Sequence, residues 1–186
     1  FFFKQKTAYE IVMWLEFRRV LFRSLKGGLF YISWIILYYY LLEPKTLLDE
    51  RIITHIVHVS AWLLKCFGYS TFEETRDTTF QLVGIVGGSN NPGVWIGTAC
   101  NAVSLFALFT IFIIAMPGSW KNKMWFIPMG LLIIHLANIL RVTLLAIIAY
   151  VNVNYLNFNH TYTFTILTYS IIFILWIWWV NKFSKT

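Results

Sequence analysis

Arg141 stands inside a hydrophobic run long enough to cross a bilayer, MWFIPMGLLIIHLANILRVTLLAIIAYV at residues 124–151. A guanidinium at mid-membrane costs about 2.5–3.5 kcal/mol on insertion scales, so such a residue faces a polar interior or does chemistry. Asn138 lies three residues before it, and His135 three before that. On a helix this spacing stacks the three side chains along one stripe. Cys100 and His160 fall near the ends of two other apolar runs. A thiolate is the reactive form of cysteine, and a helix N-terminus favours it. A neighbouring imidazole can act as its base, and an arginine can hold a developing oxyanion.

Each residue also has a plainer role. Cys100 alone reads as a small packing residue and His160 as a polar residue at a helix start. Arg141 alone reads as a structural pair or the wall of a water-filled cavity. His135 lies nearer the other half of the span and is expected to be structural. His55 and His58 have an i, i+3 spacing that can ligate a metal, but no matching Cys or acid pattern accompanies them. They read as the polar face of a helix, and neither a metal nor a cofactor is expected. Ser104 is expected to pack or to bond a carbonyl. Asn138 and Asn101 are expected to support the site or bind substrate.

The elements that position these residues follow from composition. The chain is 59% hydrophobic, 19% aromatic and only 12% charged. That is an integral membrane composition, and at 186 residues it implies one bundle. The net charge of +7 is carried by basic residues at the ends of apolar runs, which points away from nucleic acid. Cys66 and Cys100 are too few for a disulfide scaffold.

Residues 1–24, FFFKQKTAYEIVMWLEFRRVLFRS, resemble a translated sequencing-adapter read-through and are set apart from residues 25–186, which read as a single membrane domain. The native N-terminus is then expected to be missing. Of 15 basic and 8 acidic residues, the stretch holds Lys4, Lys6, Arg18, Arg19, Arg23, Glu10 and Glu16, leaving ten and six, a net of +4.

An all-α membrane fold with four spans is expected. The first is LFYISWIILYYYLL at 29–42, ended by Glu43-Pro44-Lys45. Residues 52–67 alternate apolar and polar with helical period and read as an amphipathic helix in the outer interface. FQLVGIV at 80–86 and 94–97, around the turn cluster GGSNNPG at 87–93, read as a short β-hairpin. A second span is expected over 99–116 with Thr98 as N-cap, placing Cys100 just inside a helix. The third is 124–151, followed by an Asn-rich loop at 152–159. The fourth is 162–180, with Trp176, Trp178 and Trp179 as an interfacial belt. Lys26, Lys121, Lys123, Lys182 and Lys185 mark three basic places without acids. Glu43, Asp49, Glu50, Glu73, Glu74 and Asp77 all lie between the first span and residue 99. The positive-inside rule then puts 45–97 and 152–160 outside, with Cys100, Arg141 and His160 all near the outer leaflet.

TACNAVSLFALF at 98–109, NILRV at 138–142 and FNHTYTFTILTYSIIFILW at 158–176 together resemble the exosortase/archaeosortase family, most closely its short exosortase F branch. The resemblance runs from about residue 29 to the C-terminus. It implies Cys100 as nucleophile, Arg141 as the family arginine and His160 as the family histidine. It also implies a cysteine transpeptidase or protease of the bacterial inner membrane. Its substrates would be exported proteins with a C-terminal motif, an apolar helix and a basic tail. Two departures stand out: the family often has Gly where this chain has Ala102, and commonly Gly where it has Ser170. From the residues alone, a transporter-like bundle lined by Arg141, Asn138 and His135 competes with this reading, as does a non-catalytic assembly factor.

Overall fold

The computed structural model describes residues 8–38, 40, 48–77, 79–87 and 93–183. The first helix, α1 (Ala8–Leu37), runs without a break across residues 24 and 25. The Glu43-Pro44-Lys45 stop and most of the 87–93 turn lie outside the described residues. Then follow α2 (Leu48–Cys66), β1 (Thr71–Asp77), β2 (Phe80–Ile85), β3 (Val94–Ile96), a 3₁₀ turn (Thr98–Cys100), α3 (Val103–Ala115) and α4 (Trp120–Val151). The chain closes with α5 (Asn154–Phe158), a π turn (Asn159–Thr163) and α6 (Phe164–Phe183).

Among the described residues two helical stretches are long and apolar enough to cross a membrane, Trp120–Val151 and Asn154–Phe183. Gly27–Ile36 and Val103–Ala115 are apolar but shorter. At 32 residues α4 is about 48 Å long, well beyond a hydrocarbon core of about 30 Å. Its buried residues recur every three or four positions: Phe126, Gly130, Ile134, Asn138, Val142, Leu145, Ala149. Beside that row Ile139, Thr143 and Ala146 are buried too, and α4 is the axis on which both cores pack.

Two cores sit at the two ends of this axis. Towards Val151, α2 lays Ile53, Ile56, Val57, Ala61 and Leu64 against Ile139, Val142, Leu145 and Ala146. Val83 and Ile85 of β2, with Val94 and Ile96 of β3, complete that core. The amphipathic helix anticipated from the sequence is there, and its apolar face is turned onto α4 and the sheet. Towards Trp120, Phe109 and Ile113 of α3 pack with Phe126, Ile134, Ile172, Leu175 and Trp179. Gly130 makes this possible: a Cβ there would lie 2.2 Å from Phe109 Cζ. Lys123 is buried at the same end, and its Nζ donates to the carbonyls of Ile114 and Met116, at 2.8 and 2.7 Å, where α3 runs out of helical donors.

The sheet is antiparallel in the order β1-β2-β3. The anticipated hairpin is β2 with β3, Val83 opposite Val94. β1 was not anticipated, because TFEETRD is polar and its last five residues are exposed. Backbone pairing with β2 orders it, not a buried stripe. Gln81 Nε2 donates to Thr54 Oγ1 at 2.7 Å and ties β2 to α2.

Three boundaries differ from expectation. The helix after Cys100 begins at Val103, not at residue 99, and Thr98 is not its N-cap. Asn101 Oδ1 captures the Val103 N–H at 2.9 Å, and Ala102 is left-handed at φ 65°, so helix cannot extend backwards. Residues 152–159, expected as loop, are mostly helical. Asn152 Oδ1 accepts from Asn154 N–H at 3.0 Å and restarts the helix within two residues. The last helical stretch therefore begins before His160 and not at residue 162.

Candidate active site

Cys100 ends the 3₁₀ turn that follows β3, with its N–H bonded to Gly97 O at 2.9 Å. It lies three residues ahead of α3, so the expected placement inside a helix N-terminus is not what the fold provides, nor is a direct helix-dipole effect on the thiol. The turn is held elsewhere. Asn138, 1% exposed, donates from Nδ2 to Cys100 O at 2.8 Å. Asn101, equally buried, bonds Val103 N–H with its oxygen and the Asp49 carboxylate with its nitrogen.

His160 is presented by the π turn, a local widening of an otherwise continuous helix. Such turns commonly sit at functional sites, because one extra residue re-aims a side chain. Its Nε2 lies 3.6 Å from Cys100 Sγ. Thr165 Oγ1 donates to His160 O at 3.3 Å, across the turn. The sequence carried no sign of the π turn. The Asn-rich stretch 152–159 just ahead of His160 reads as loop.

Arg141 lies three residues past Asn138 on α4, half-buried. It lines a pocket of about 220 Å³ together with Cys100, Asn101, Ser104, Asn138, Thr165, Thr168 and Tyr169. Among the described residues it has no salt-bridge partner. Thr168 is buried and spends its hydroxyl on Phe164 O at 2.8 Å. Ser104 is exposed at the pocket wall. Cys100, Arg141 and His160, from three separate segments, are thus brought together, with Asn101 and Asn138 beside them.

His135 does not join them. Its Nε2 meets His55 Nδ1 at 3.0 Å, and the two rings stack 5.1 Å apart. His58 Nδ1 pairs with Glu73 at 2.8 Å. Among the described residues no group of three or more His, Cys, Asp or Glu side chains has metal-binding geometry. The stripe His135–Asn138–Arg141 is therefore not one polar path: its members go to His55, to the Cys100 turn and to the pocket. Cys66 is a free, exposed thiol at the far end of α2, and Cys100 is also unpaired.

The arrangement has the parts of nucleophilic acyl chemistry. It has a thiol in contact with an imidazole, a cation at the pocket, and a carbonyl-pinned turn that fixes the thiol. A family model described as transmembrane exosortase matches residues 11–180. No curated protein and no solved structure matches the chain.

Proposed function

The chain belongs to the transmembrane exosortase family, and from that premise we propose that it is a membrane-embedded cysteine transpeptidase or protease. It would process the C-terminal sorting signals of exported proteins, each a short motif followed by an apolar helix and a basic tail. One observation carries the reading: Cys100 Sγ sits 3.6 Å from His160 Nε2 at a pocket that Arg141 lines.

In this reading His160 takes the thiol proton as Cys100 attacks the scissile carbonyl. Arg141 stabilises the oxyanion of the tetrahedral intermediate. His160 returns the proton to the leaving amine, which departs with the apolar helix and basic tail. The remaining thioester is then resolved by water or by an acceptor amine. No metal or cofactor is needed for these steps.

The topology belongs to the same proposal. Four segments span the inner membrane: the C-terminal part of α1, then α3, α4 and α6. The basic places at Lys26, Lys121 and Lys182 are cytoplasmic, because Lys and Arg set orientation. The sheet and α2 are then outside, and the pocket opens where a substrate helix leaves the bilayer. Residues 1–24 have no part in this reading and are proposed to be non-native.

The test is co-expression with a substrate carrying a C-terminal sorting tail, scored by its mobility shift. The wild-type chain shortens the substrate and Cys100→Ala does not, while still inserting into the membrane. Normal processing by Cys100→Ala would refute nucleophilic catalysis by this residue.

A further inference from the structure

We propose that Asp49 is a positioning residue of this site, holding the turn that carries Cys100 by way of Asn101. The inference rests on the cysteine-dependent reading above. In the sequence Asp49 is one of six acids between the first span and residue 99, a stretch expected on the outer side. In the fold it is 6% exposed, in the first turn of α2, where a helix favours negative charge. Each of its oxygens takes one donor. Oδ2 accepts from Tyr38 OH, near the end of α1, at 2.8 Å. Oδ1 accepts from Asn101 Nδ2.

The second bond matters because of what Asn101 does with its other end. Its Oδ1 already holds Val103 N–H, so the amide cannot turn over without losing both partners. With the amide locked, Asn101 keeps φ −84° and ψ −2°, and Ala102 keeps φ 65°, a region that residues with a Cβ seldom occupy. That reversal sets the 3₁₀ turn against α3 and brings Cys100 to His160. Asn138 grips the same turn from α4 through Cys100 O. Asp49 itself does not line the pocket, so it acts through Asn101 and not on substrate. Through Tyr38 and Asp49, α1 and α2 are both tied to the nucleophile's turn.

The experiment uses the full chain in membranes with Cys66→Ala, leaving Cys100 as its one thiol. Two quantities are read: kcat and KM for the tail-bearing substrate, and the pH profile of Cys100 alkylation by iodoacetamide. Asp49→Ala should lower kcat about ten- to a hundredfold with little change in KM, as expected for misplaced reacting groups. It should also change the alkylation profile, because a thiol drawn away from His160 loses the imidazole as its proton acceptor. Asp49→Asn should restore most of both: its oxygen can accept from Asn101 while its NH₂ donates to the Tyr38 oxygen.

Unchanged kcat and alkylation in Asp49→Ala would overturn the proposal. So would equal damage from Ala and Asn with an unmoved alkylation profile, since that pattern belongs to a carboxylate acting in the reaction. If Asp49→Ala fails to accumulate, Asn101→Ala decides, because it cuts the link and leaves Asp49 bonded to Tyr38; an unmoved profile there sinks the idea. Processing by Cys100→Ala would instead remove the cysteine reading. Alkylation needs no substrate and still judges Asp49.

Discussion

Cys100 Sγ and His160 Nε2 are 3.6 Å apart although 60 residues separate them in the chain. The contact joins a 3₁₀ turn behind a sheet strand to a π turn ahead of the last helix. Neither turn carries out this placement alone. α4 supplies Asn138 to the first turn and Arg141 to the pocket that Cys100 lines.

Within the Cys66→Ala background, which should process substrate normally, Cys100→Ser should be nearly as damaging as Cys100→Ala. A serine hydroxyl ionises far less readily than a thiol with a pKa of about 8.5. Arg141→Lys should also fail, because Lys keeps the charge and loses the planar fork. The loss for Arg141→Lys should be about 10²–10³ in rate, the usual cost of one oxyanion donor. Initial rates of substrate shortening measure it. Full activity of Arg141→Lys would remove the oxyanion role.

Ala102 is the one non-glycine residue with positive φ among those described. Left-handed backbone costs a residue with a Cβ about 1–2 kcal/mol. Ala102→Gly should therefore raise stability by about 1 kcal/mol with processing retained, whereas Ala102→Val should lower it. Thermal unfolding in detergent is the check. A destabilised Gly variant would mean that this turn is not strained.

Gly130 lies under the ring of fully buried Phe109. Gly130→Ala should destabilise the α3–α4 contact by about 1–3 kcal/mol, the cost of overpacking. Phe109→Leu in the same chain should recover part of that loss, since it removes the atoms the new Cβ meets. Comparing the two single variants with the double variant isolates the pair. Strictly additive effects would show that the two residues do not meet.

Lys123 closes the end of α3 through two carbonyls. Lys123→Met keeps much of the side-chain volume and removes the donor. It should cost about 1.5–3 kcal/mol, the range for hydrogen bonds to a charged group, with the Cys100–His160 contact at the other end of α4 undisturbed. Unfolding and substrate processing, measured together, should separate: stability falls and kcat holds.

Single cysteines at Ser119 and Glu74, placed in a chain lacking both Cys66 and Cys100, should report opposite sides of the membrane. Glu74 should react with an impermeant maleimide from outside and Ser119 only after permeabilisation. External labelling of Ser119 would invert or break the four-span topology.

The helices were legible because their signal is local. The stripe on α4 and the amphipathic pattern of α2 are periodic in the chain itself, and a period of 3.6 needs no partner to be read. β2 and β3 were legible for the same reason. β1 was not, because a polar edge strand exists only by pairing with its neighbour. Residues 152–159 were misread because Asn signals loop, while these side chains in fact return to nearby backbone. Asn159 Nδ2 donates to Tyr155 O at 2.9 Å.

By itself the sequence determined that the chain is a membrane protein, that one helix carries Asn138 and Arg141 on a common stripe, and that Cys100, Arg141 and His160 are its chemical candidates. Its motifs also pointed to the family. Tertiary structure alone decided how these residues meet. Cys100 sits in a turn and not in a helix, because Asn101 captures the N–H that helix would need. His135 leaves the stripe, because α2 offers His55 at bonding distance. Asp49 leaves the surface, because Tyr38 and Asn101 satisfy both its oxygens in a buried place. A buried polar group must find partners, and for these side chains the partners lie far away in the chain. Local spacing cannot name them.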